Sequence, residues 1–108
     1  MATSTIDPDA AITTLINVFH VQPDKQQELV SLLNEATEAV MRHRDGFVSA
    51  NIHASRDGHT VVNYAQWRDE AAFRAMLADP AAQEHMSSAT ALATSDPKLY
   101  TVAATHHA

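Results

Sequence analysis

FVSANIHASRDGHTVVNYAQW, residues 47–67, is the stretch of sequence that decides the fold. It contains two runs rich in β-branched and aromatic residues, 47–55 and 59–67, joined through Arg56, Asp57 and Gly58. An Asp-Gly pair between two such runs is a strong hairpin signal, because the glycine readily adopts the positive φ that tight turns require. We therefore predict an antiparallel hairpin.

The pairing register of the hairpin determines which side chains share a face of the sheet. A two-residue loop pairs Asn63 with Ile52, whereas a three-residue loop pairs Asn63 with Asn51 and Trp67 with Phe47. We favour the three-residue loop because its third position requires a positive φ, which glycine adopts readily. In this register, residues of the same kind also pair, Asn with Asn and aromatic with aromatic. One face is then predicted to hold Phe47, Ser49, Asn51, His53, Val61, Asn63, Ala65 and Trp67. The other face is predicted to hold Val48, Ala50, Ile52, Ala54, Val62, Tyr64 and Gln66.

The first third of the chain adds a strand and a helix. ITTLINVFHV, residues 12–21, is rich in β-branched residues and predicts a strand. Pro23-Asp24 is typical of a helix start, and Gly46 of a helix end. Between them, one apolar stripe recurs at helical spacing and consists of Leu29, Leu32, Leu33, Ala36 and Val40.

The last third adds a broken helix and a final strand. Asp69 is suited to cap EAAFRAMLA, residues 70–78, and Asp79-Pro80 ends this helix and begins a second segment over 81–93. KLYTVAAT, residues 98–105, predicts the last strand. The order β-α-β-β-α-β predicts an α+β, ferredoxin-like domain whose second helix is broken. We expect a single domain over 11–105, a flexible tail over 1–10 and a short tail over 106–108.

Composition limits the possible functions. A chain of 108 residues suits one domain, and the absence of cysteine removes thiol catalysis, disulfides and thiolate metal sites. The net charge is −6 and the seven lysine and arginine residues are scattered, so no nucleic-acid partner is expected. No segment has the ~20 consecutive apolar residues of a membrane span. We expect a cytoplasmic protein without a metal site.

Neither face of the predicted hairpin has the composition of a solvated surface. A sheet that is apolar on both sides in so small a protein is expected to pack one side against another subunit. We therefore predict a homodimer in which two sheets meet. The other face would then form a polar-lined pocket beneath the helices.

The hairpin and the helix after it resemble a known family. FVSANIHASRDGHTVVNYAQWRDEAAFRAM, residues 47–76, is similar to the corresponding segment of the antibiotic biosynthesis monooxygenase family, whose members are dimeric α+β barrels. Within it, HAS-DG--VVNYAQW is most similar to small oxygenases that convert anthrones to anthraquinones during aromatic polyketide biosynthesis. The resemblance implies oxidation by O2 of a small aromatic substrate without metal, flavin or haem. It also implies that Asn63 and Trp67 belong to the active site.

The chemistry of such a reaction suggests a role for each candidate residue. Asn63 could donate an amide N–H to a substrate enolate, and Trp67 could supply a flat wall and an indole donor. His53, predicted on the same face, could accept a proton. We expect Asn17 and Asn51 to hold a water or a substrate hydroxyl. The other side chains expected to contact the substrate are Phe47, Phe73, Met76 and His85. Alternatively, buried Asn and Trp side chains serve as hydrogen-bonded core groups.

Two departures from the family pattern leave alternatives open. Phe73 stands where some members have a tyrosine. Some members also carry a charge-stabilising arginine in the second helical region, but here no arginine follows Arg74. That role is either unfilled or passes to His85. Haem-degrading monooxygenases of the same fold use an Asn, a Trp and a His at places that correspond here to Asn17, Met76 and His85. A haem-binding or haem-degrading enzyme is therefore the second hypothesis. A non-catalytic dimer that binds a small ligand is the third.

Overall fold

The computed structural model describes residues 2–108 and contains four strands and three α-helices. The elements in chain order are β1 (Thr13–Val21), α1 (Gln26–Ala39), β2 (Phe47–Ala54), β3 (Thr60–Trp67), α2 (Glu70–Leu77), α3 (Pro80–Leu92) and β4 (Ala93–Tyr100). Short 3-10 turns over Pro23–Lys25 and Met41–His43 flank α1. No helix within residues 2–108 combines the length and the hydrophobicity needed to cross a bilayer.

The four strands form one antiparallel sheet in the order β2-β3-β1-β4. Two core clusters join the inner face of this sheet to the helices. One includes Leu15 and Trp67 from the sheet with Phe73 from α2, and the other includes Phe19 and Val61 with Leu29 from α1. This arrangement confirms the predicted ferredoxin-like α+β fold.

The predicted break in the second helical region is confirmed, and its cause lies in two aspartate caps. Asp69 accepts a hydrogen bond from the backbone N–H of Ala72 at 2.8 Å at the start of α2. Asp79 accepts from the backbone N–H of Ala81 at 2.8 Å, and Pro80 is the first residue of α3. Proline suits that position because the first N–H of a helix has no partner within the helix.

The end predicted for the first helix is wrong. α1 ends at Ala39, where Val40 leaves the helical conformation with φ −127° and ψ −63°. The side chain of Val40 is buried in the core beside β1, so packing rather than a C-terminal glycine ends the helix. Gly46 has φ +82° and forms the turn into β2, and its carbonyl accepts from the N–H of Arg68 at 2.7 Å.

The position predicted for the last strand is also wrong. β4 runs from Ala93 to Tyr100, so Pro97 lies inside the strand and opposite Asn17. Proline usually argues against a central strand because it lacks the N–H that the ladder needs. β4 is an edge strand, however, and only one of its sides is paired. The missing N–H is therefore tolerated.

The favoured register of the hairpin is correct at only one end. Phe47 lies opposite Trp67 as predicted, but Asn63 lies opposite Ile52 and Asn51 opposite Tyr64. An irregularity between Phe47 and Ser49 shifts the register by one residue, as a β-bulge does. From Ser49 to Ala54, β2 consequently presents the opposite set of side chains to each face.

The outer face of the sheet, on the side away from the helices, carries both apolar and polar groups. Its half-buried apolar members include Ile16, Val18, Val62 and Tyr64, and the exposed Tyr100 lies on the same face opposite Thr14. The segment 2–10, predicted as a flexible tail, contacts this face at two points. The Ser4 hydroxyl donates to Oδ1 of Asn51 at 2.6 Å, and the carbonyl of Thr5 accepts from Nε2 of Gln66 at 2.8 Å.

Candidate active site

A cavity of about 260 Å³ lies between the inner face of the sheet and the helices. Its walls are mainly apolar, with aliphatic groups, aromatic rings and methionines contributed by all four strands and all three helices. The lining residues are Leu15, Asn17, Phe19, Leu33, Ala36, Thr37, Met41, Phe47, Ala50, Asn63, Ala65, Trp67, Phe73, Met76, Leu77, Met86, Ser95, Pro97, Lys98 and Leu99. An apolar cavity with few polar groups is typical of a site for a small organic ligand.

Two asparagines face this cavity from adjacent strands. Asn17 of β1 lies directly opposite Asn63 of β3, so their Cβ atoms are about 5 Å apart, the usual spacing of a cross-strand pair. Leu15 and Phe19 flank Asn17 on the same face of β1 and belong to different core clusters. The asparagine pair therefore interrupts the core between these clusters.

Trp67 forms a wall of the cavity at the end of β3. Only 2% of its surface is exposed. The ring of Phe47 contacts it edge-on with centroids 5.5 Å apart, and Phe73 lies 6.3 Å away at 64°. These contacts hold the indole in one orientation, because aromatic pairs favour edge-to-face geometry.

Three buried polar atoms at this cavity have no hydrogen-bond partner within residues 2–108. They are Oδ1 of Asn17, Oδ1 of Asn63 and Nε1 of Trp67. Leaving one such group unpaired costs roughly 1–3 kcal/mol, and most buried polar groups in proteins are paired. An Asn side chain can also turn over to present its NH2 group instead of its oxygen. The three groups are thus available to a ligand that offers both donors and acceptors.

The remaining predicted contact residues divide into two groups. Phe47, Phe73 and Met76 line the cavity beside Trp67. His85 lines an adjoining lobe of about 60 Å³, which it shares with Asn17.

The expected location of Asn51 and His53 is wrong. The register shift turns both side chains to the outer face, where Asn51 lies opposite Tyr64 and His53 opposite Val62. The amide of Asn51 donates to the carbonyl of Tyr64 at 3.0 Å. The imidazole of His53 is exposed, and Nδ1 lies 3.0 Å from the carbonyl of Asn51. Neither residue lines the cavity.

Tyr64 and Gln66 lie on the outer face, opposite to Asn63, as the alternation of side chains along β3 predicts. Gln66 is buried and fully engaged. Its Oε1 accepts from the hydroxyl of Ser49 at 2.6 Å, and its Nε2 donates to the hydroxyl of Tyr64 at 3.0 Å. The polar groups of 63–67 therefore fall into two sets. Those on the outer face are hydrogen-bonded, whereas Asn63 Oδ1 and Trp67 Nε1 in the cavity have no partner in the described part of the chain.

Several cavity residues were not anticipated from the sequence. Thr37 and Met41 continue the stripe of α1 at helical spacing from Leu33, and this spacing could have revealed them. Ser95, Pro97 and Leu99 lie on the cavity side of β4, opposite Phe19, Asn17 and Leu15. They were missed because the strand was placed too late in the chain.

Ionisable groups are scarce at this cavity. Within residues 2–108, Lys98 is the one ionisable residue in its wall. Lys98 lies opposite Ile16, whose side chain faces outward, and its Nζ is 3.5 Å from a carboxylate oxygen of Asp96. The side chains that face the cavity are therefore uncharged. Residues 2–108 contain no group of three or more His, Asp or Glu side chains placed to hold a metal ion.

Comparison with known proteins assigns the family. Residues 12–88 match the model of the family described as antibiotic biosynthesis monooxygenase. The chain belongs to this family. The match covers β1 to β3, α1, α2 and most of α3, and so includes both asparagines and Trp67.

Three relatives are similar to the chain over most of its length. Tetracenomycin-F1 monooxygenase of Streptomyces glaucescens is 58% identical over 82 residues, which is 76% of this chain and 73% of the relative. A variant of SnoaB, a cofactor-independent oxygenase from Streptomyces nogalater, superposes with a TM-score of 0.81 at 32% identity, covering 89% of this chain and 97% of SnoaB. The monooxygenase ActVA-Orf6 of Streptomyces coelicolor, solved with nanaomycin D, also gives 0.81 at 32% identity, covering 94% and 96%.

Proposed function

We propose that this protein is a cofactor-independent monooxygenase that oxidises an aromatic polyketide with O2. The substrate class is an anthrone, and the product is the corresponding quinone. Similarity to tetracenomycin-F1 monooxygenase and to the cofactor-independent oxygenase SnoaB supports the reaction type. The observation that carries the proposal is the set of three unpartnered polar atoms on Asn17, Asn63 and Trp67, which line a single uncharged cavity.

The substrate supplies the electrons in this mechanism. Dioxygen has a triplet ground state and reacts slowly with closed-shell molecules, so the substrate must first form an anion that readily gives up one electron. An anthrone forms such an anion when it loses a proton from the carbon opposite its carbonyl, because the charge moves onto the carbonyl oxygen. The protein then has to stabilise that oxygen and keep bulk water away from the anion.

The cavity residues suit these two tasks. The amide NH2 of Asn63 can donate to the developing enolate oxygen, while Asn17 can accept from a phenolic hydroxyl or donate to the same oxygen. The indole of Trp67 is held by Phe47 and offers both a flat wall and an N–H donor. Phe73 and other apolar side chains limit contact with bulk water, so each hydrogen bond acts in a medium of lower dielectric than water.

Oxygen uptake by the purified protein tests the proposal. With an anthrone and ¹⁸O2, we expect one O2 consumed per quinone formed, with one labelled atom in the new carbonyl and the other in water. The rate should persist after exhaustive treatment with a chelator and without added flavin. Absence of O2 uptake with any anthrone, or a rate that requires added metal, would refute the cofactor-independent oxygenase.

We also infer that the protein acts as a homodimer joined through the outer faces of two sheets. Ile16, Val18, Val62 and Tyr64 form a half-buried apolar strip there, flanked by the polar Asn51 and Gln66. Burying such a strip against a second copy is favourable because it removes apolar area from water. Light scattering at micromolar concentration should give twice the monomer mass, and a monomer mass would contradict the inference. The cytoplasmic location stays a prediction.

Two other functions are separable by simple measurements. Asn17 and His85 line the same lobe, which is the arrangement that the haem hypothesis requires, but Met76 occupies the place of the tryptophan. Haem binding would produce a Soret band on titration. A non-catalytic binding protein would retain an anthrone, detected by quenching of Trp67 fluorescence, without consuming O2.

A further inference from the structure

The lobe that contains His85 is an extension of the site. It has a volume of about 60 Å³, and Asn17, Met41, Met86 and Ser95 line both the lobe and the main cavity. Within residues 2–108, His85 is the one ionisable residue of the lobe. Among the described residues, no ionisable side chain faces the main cavity, because the strand register directs Lys98 outward, opposite Ile16. A reaction that starts with proton loss therefore finds one side chain in this region able to accept the proton.

We propose that His85 is the proton acceptor of the reaction, and this proposal rests on the proposed oxygenase function. Asn63 and Trp67 are poor bases, and the same holds for the aliphatic and aromatic groups around them. Histidine is the side chain most often used for proton transfer near neutral pH, because it gains and loses its proton in that range.

The lobe is large enough for a water that would connect His85 to the substrate. A volume of about 60 Å³ is enough for one or two water molecules, each of which occupies about 30 Å³ in the liquid. Such a water needs polar partners, and the lobe offers the unpartnered Oδ1 of Asn17, the hydroxyl of Ser95 and the imidazole itself. Asn17 is thus both a contact of the substrate and a partner of the relaying water.

The other side chains that line the lobe around His85 are uncharged. The elements that form the lobe with α3 contribute uncharged groups, namely Leu33 and Ala36 from α1, Met41 from the 3-10 turn, Asn17 and Phe19 from β1, and Ser95 from β4. On α3 itself, Glu84 is the charged neighbour in sequence, and its side chain is exposed. Among the described residues of the lobe no second base competes, so an acidic limb in the pH–rate profile is the readout expected of a base there.

The proton balance closes over one turnover. His85, through the water, takes a proton from the substrate methylene, and the bonding electrons remain on the substrate as the enolate. The enolate reduces O2, and carbon–oxygen bond formation gives a peroxide anion that the imidazolium protonates. His85 then takes the second methylene proton while the O–O bond breaks, forming the quinone carbonyl. The departing hydroxide receives that proton and leaves as water.

Substitution of His85 by glutamine tests the role. Glutamine keeps the approximate size and hydrogen-bonding ability but does not accept a proton, so kcat should fall by roughly 10²–10⁴-fold. Substrate Kd, followed by Trp67 fluorescence, should change less than threefold. His59→Gln, at an exposed histidine of the hairpin loop, is the matched control and should keep wild-type turnover. Added imidazole should restore part of the rate of His85→Ala.

Two measurements on the wild-type protein keep the test decisive if the variants fold poorly. The wild type should show an acidic limb in its pH–rate profile and a larger rate with the unlabelled substrate than with a methylene-deuterated one. A folded His85→Gln variant with wild-type kcat and an unchanged acidic limb would overturn the role of His85, as would a flat wild-type profile. By contrast, failure of the oxygenase proposal would appear as a wild-type protein that consumes no O2.

Discussion

Replacing Asn63 with leucine should lower activity and raise stability at the same time. Oδ1 of Asn63 is buried and has no partner within residues 2–108, and the residue lines the cavity proposed to bind the substrate. In the free protein Oδ1 of this amide has no partner among the described residues, whereas during the reaction its NH2 group acts as a donor. Leucine has a similar size and no polar side-chain atom, so it removes both the unpaired oxygen and the donor.

The structure sets the expected size of each effect. Losing one preorganised donor to a developing oxyanion lowers kcat by about 10²–10³-fold. Removing a buried, unpaired polar group stabilises a protein by roughly 1–3 kcal/mol, and we take the lower end because Asn63 is only half-buried. A gain of about 1 kcal/mol raises the Tm of a domain of this size by about 4–8 °C.

Asn51→Leu is the matched control. It makes the same substitution on the neighbouring strand, but at an amide that donates to the carbonyl of Tyr64 at 3.0 Å and lies outside the cavity. This variant should lose stability, because the hydrogen bond from Asn51 to this carbonyl is lost, and keep its turnover per folded protein. Thermal unfolding and O2 uptake, measured on both variants, give the two readouts.

The opposite pattern would refute the reasoning. If Asn63→Leu unfolded at a lower temperature than the wild type and retained its turnover, the amide would be a structural group. The unpartnered state of Asn63 would then have no connection with catalysis. Lower turnover together with lower stability would leave the oxyanion role without support, since misfolding would explain both.

Three further outcomes are expected. Trp67→Phe keeps an aromatic wall but removes the indole N–H, so kcat should fall about 10²-fold with less change in substrate binding, and wild-type turnover would show that only the wall matters. The backbone N–H of Ala72 lowers the pKa of Asp69 below its ordinary value of 3.8, against a smaller effect of burial. The ionised Asp69 therefore stabilises the fold above that pH, and this contribution is lost as the pH falls through the folded-state pKa. In urea unfolding, the free energy of unfolding of Asp69→Asn should depend less on pH in the acidic range than that of the wild type. Gly46→Ala should destabilise the protein by more than ~1 kcal/mol, because φ is +82° and the new Cβ would collide with that of Ala72, and an unchanged Tm would contradict this.

Local rules were sufficient for the order of the elements and for part of the site. Several signals depend only on interactions between residues close in sequence, so they can be recognised along the chain. They are the turn residues, the caps at Asp69 and Asp79 and the apolar stripe of α1. The alternation of side chains along a strand likewise separated Asn63 and Trp67 from Tyr64 and Gln66 correctly. The resemblance in 47–76 supplied the family, which the comparison confirmed.

Only the tertiary structure decided the features that depend on packing between distant segments. The irregularity between Phe47 and Ser49 keeps Phe47 against Trp67 while moving Asn51 and His53 to the outer face. The loop residues left two registers open, and no local signal near Phe47 indicates the irregularity that combines them. Pro97 is tolerated within β4 because this strand lies at the edge of the sheet. The edge position of β4 was not predictable from the sequence. The pairing of Asn17 with Asn63 likewise joins residues distant in sequence. Only the folded sheet shows that both amide oxygens lie side by side without a partner among residues 2–108.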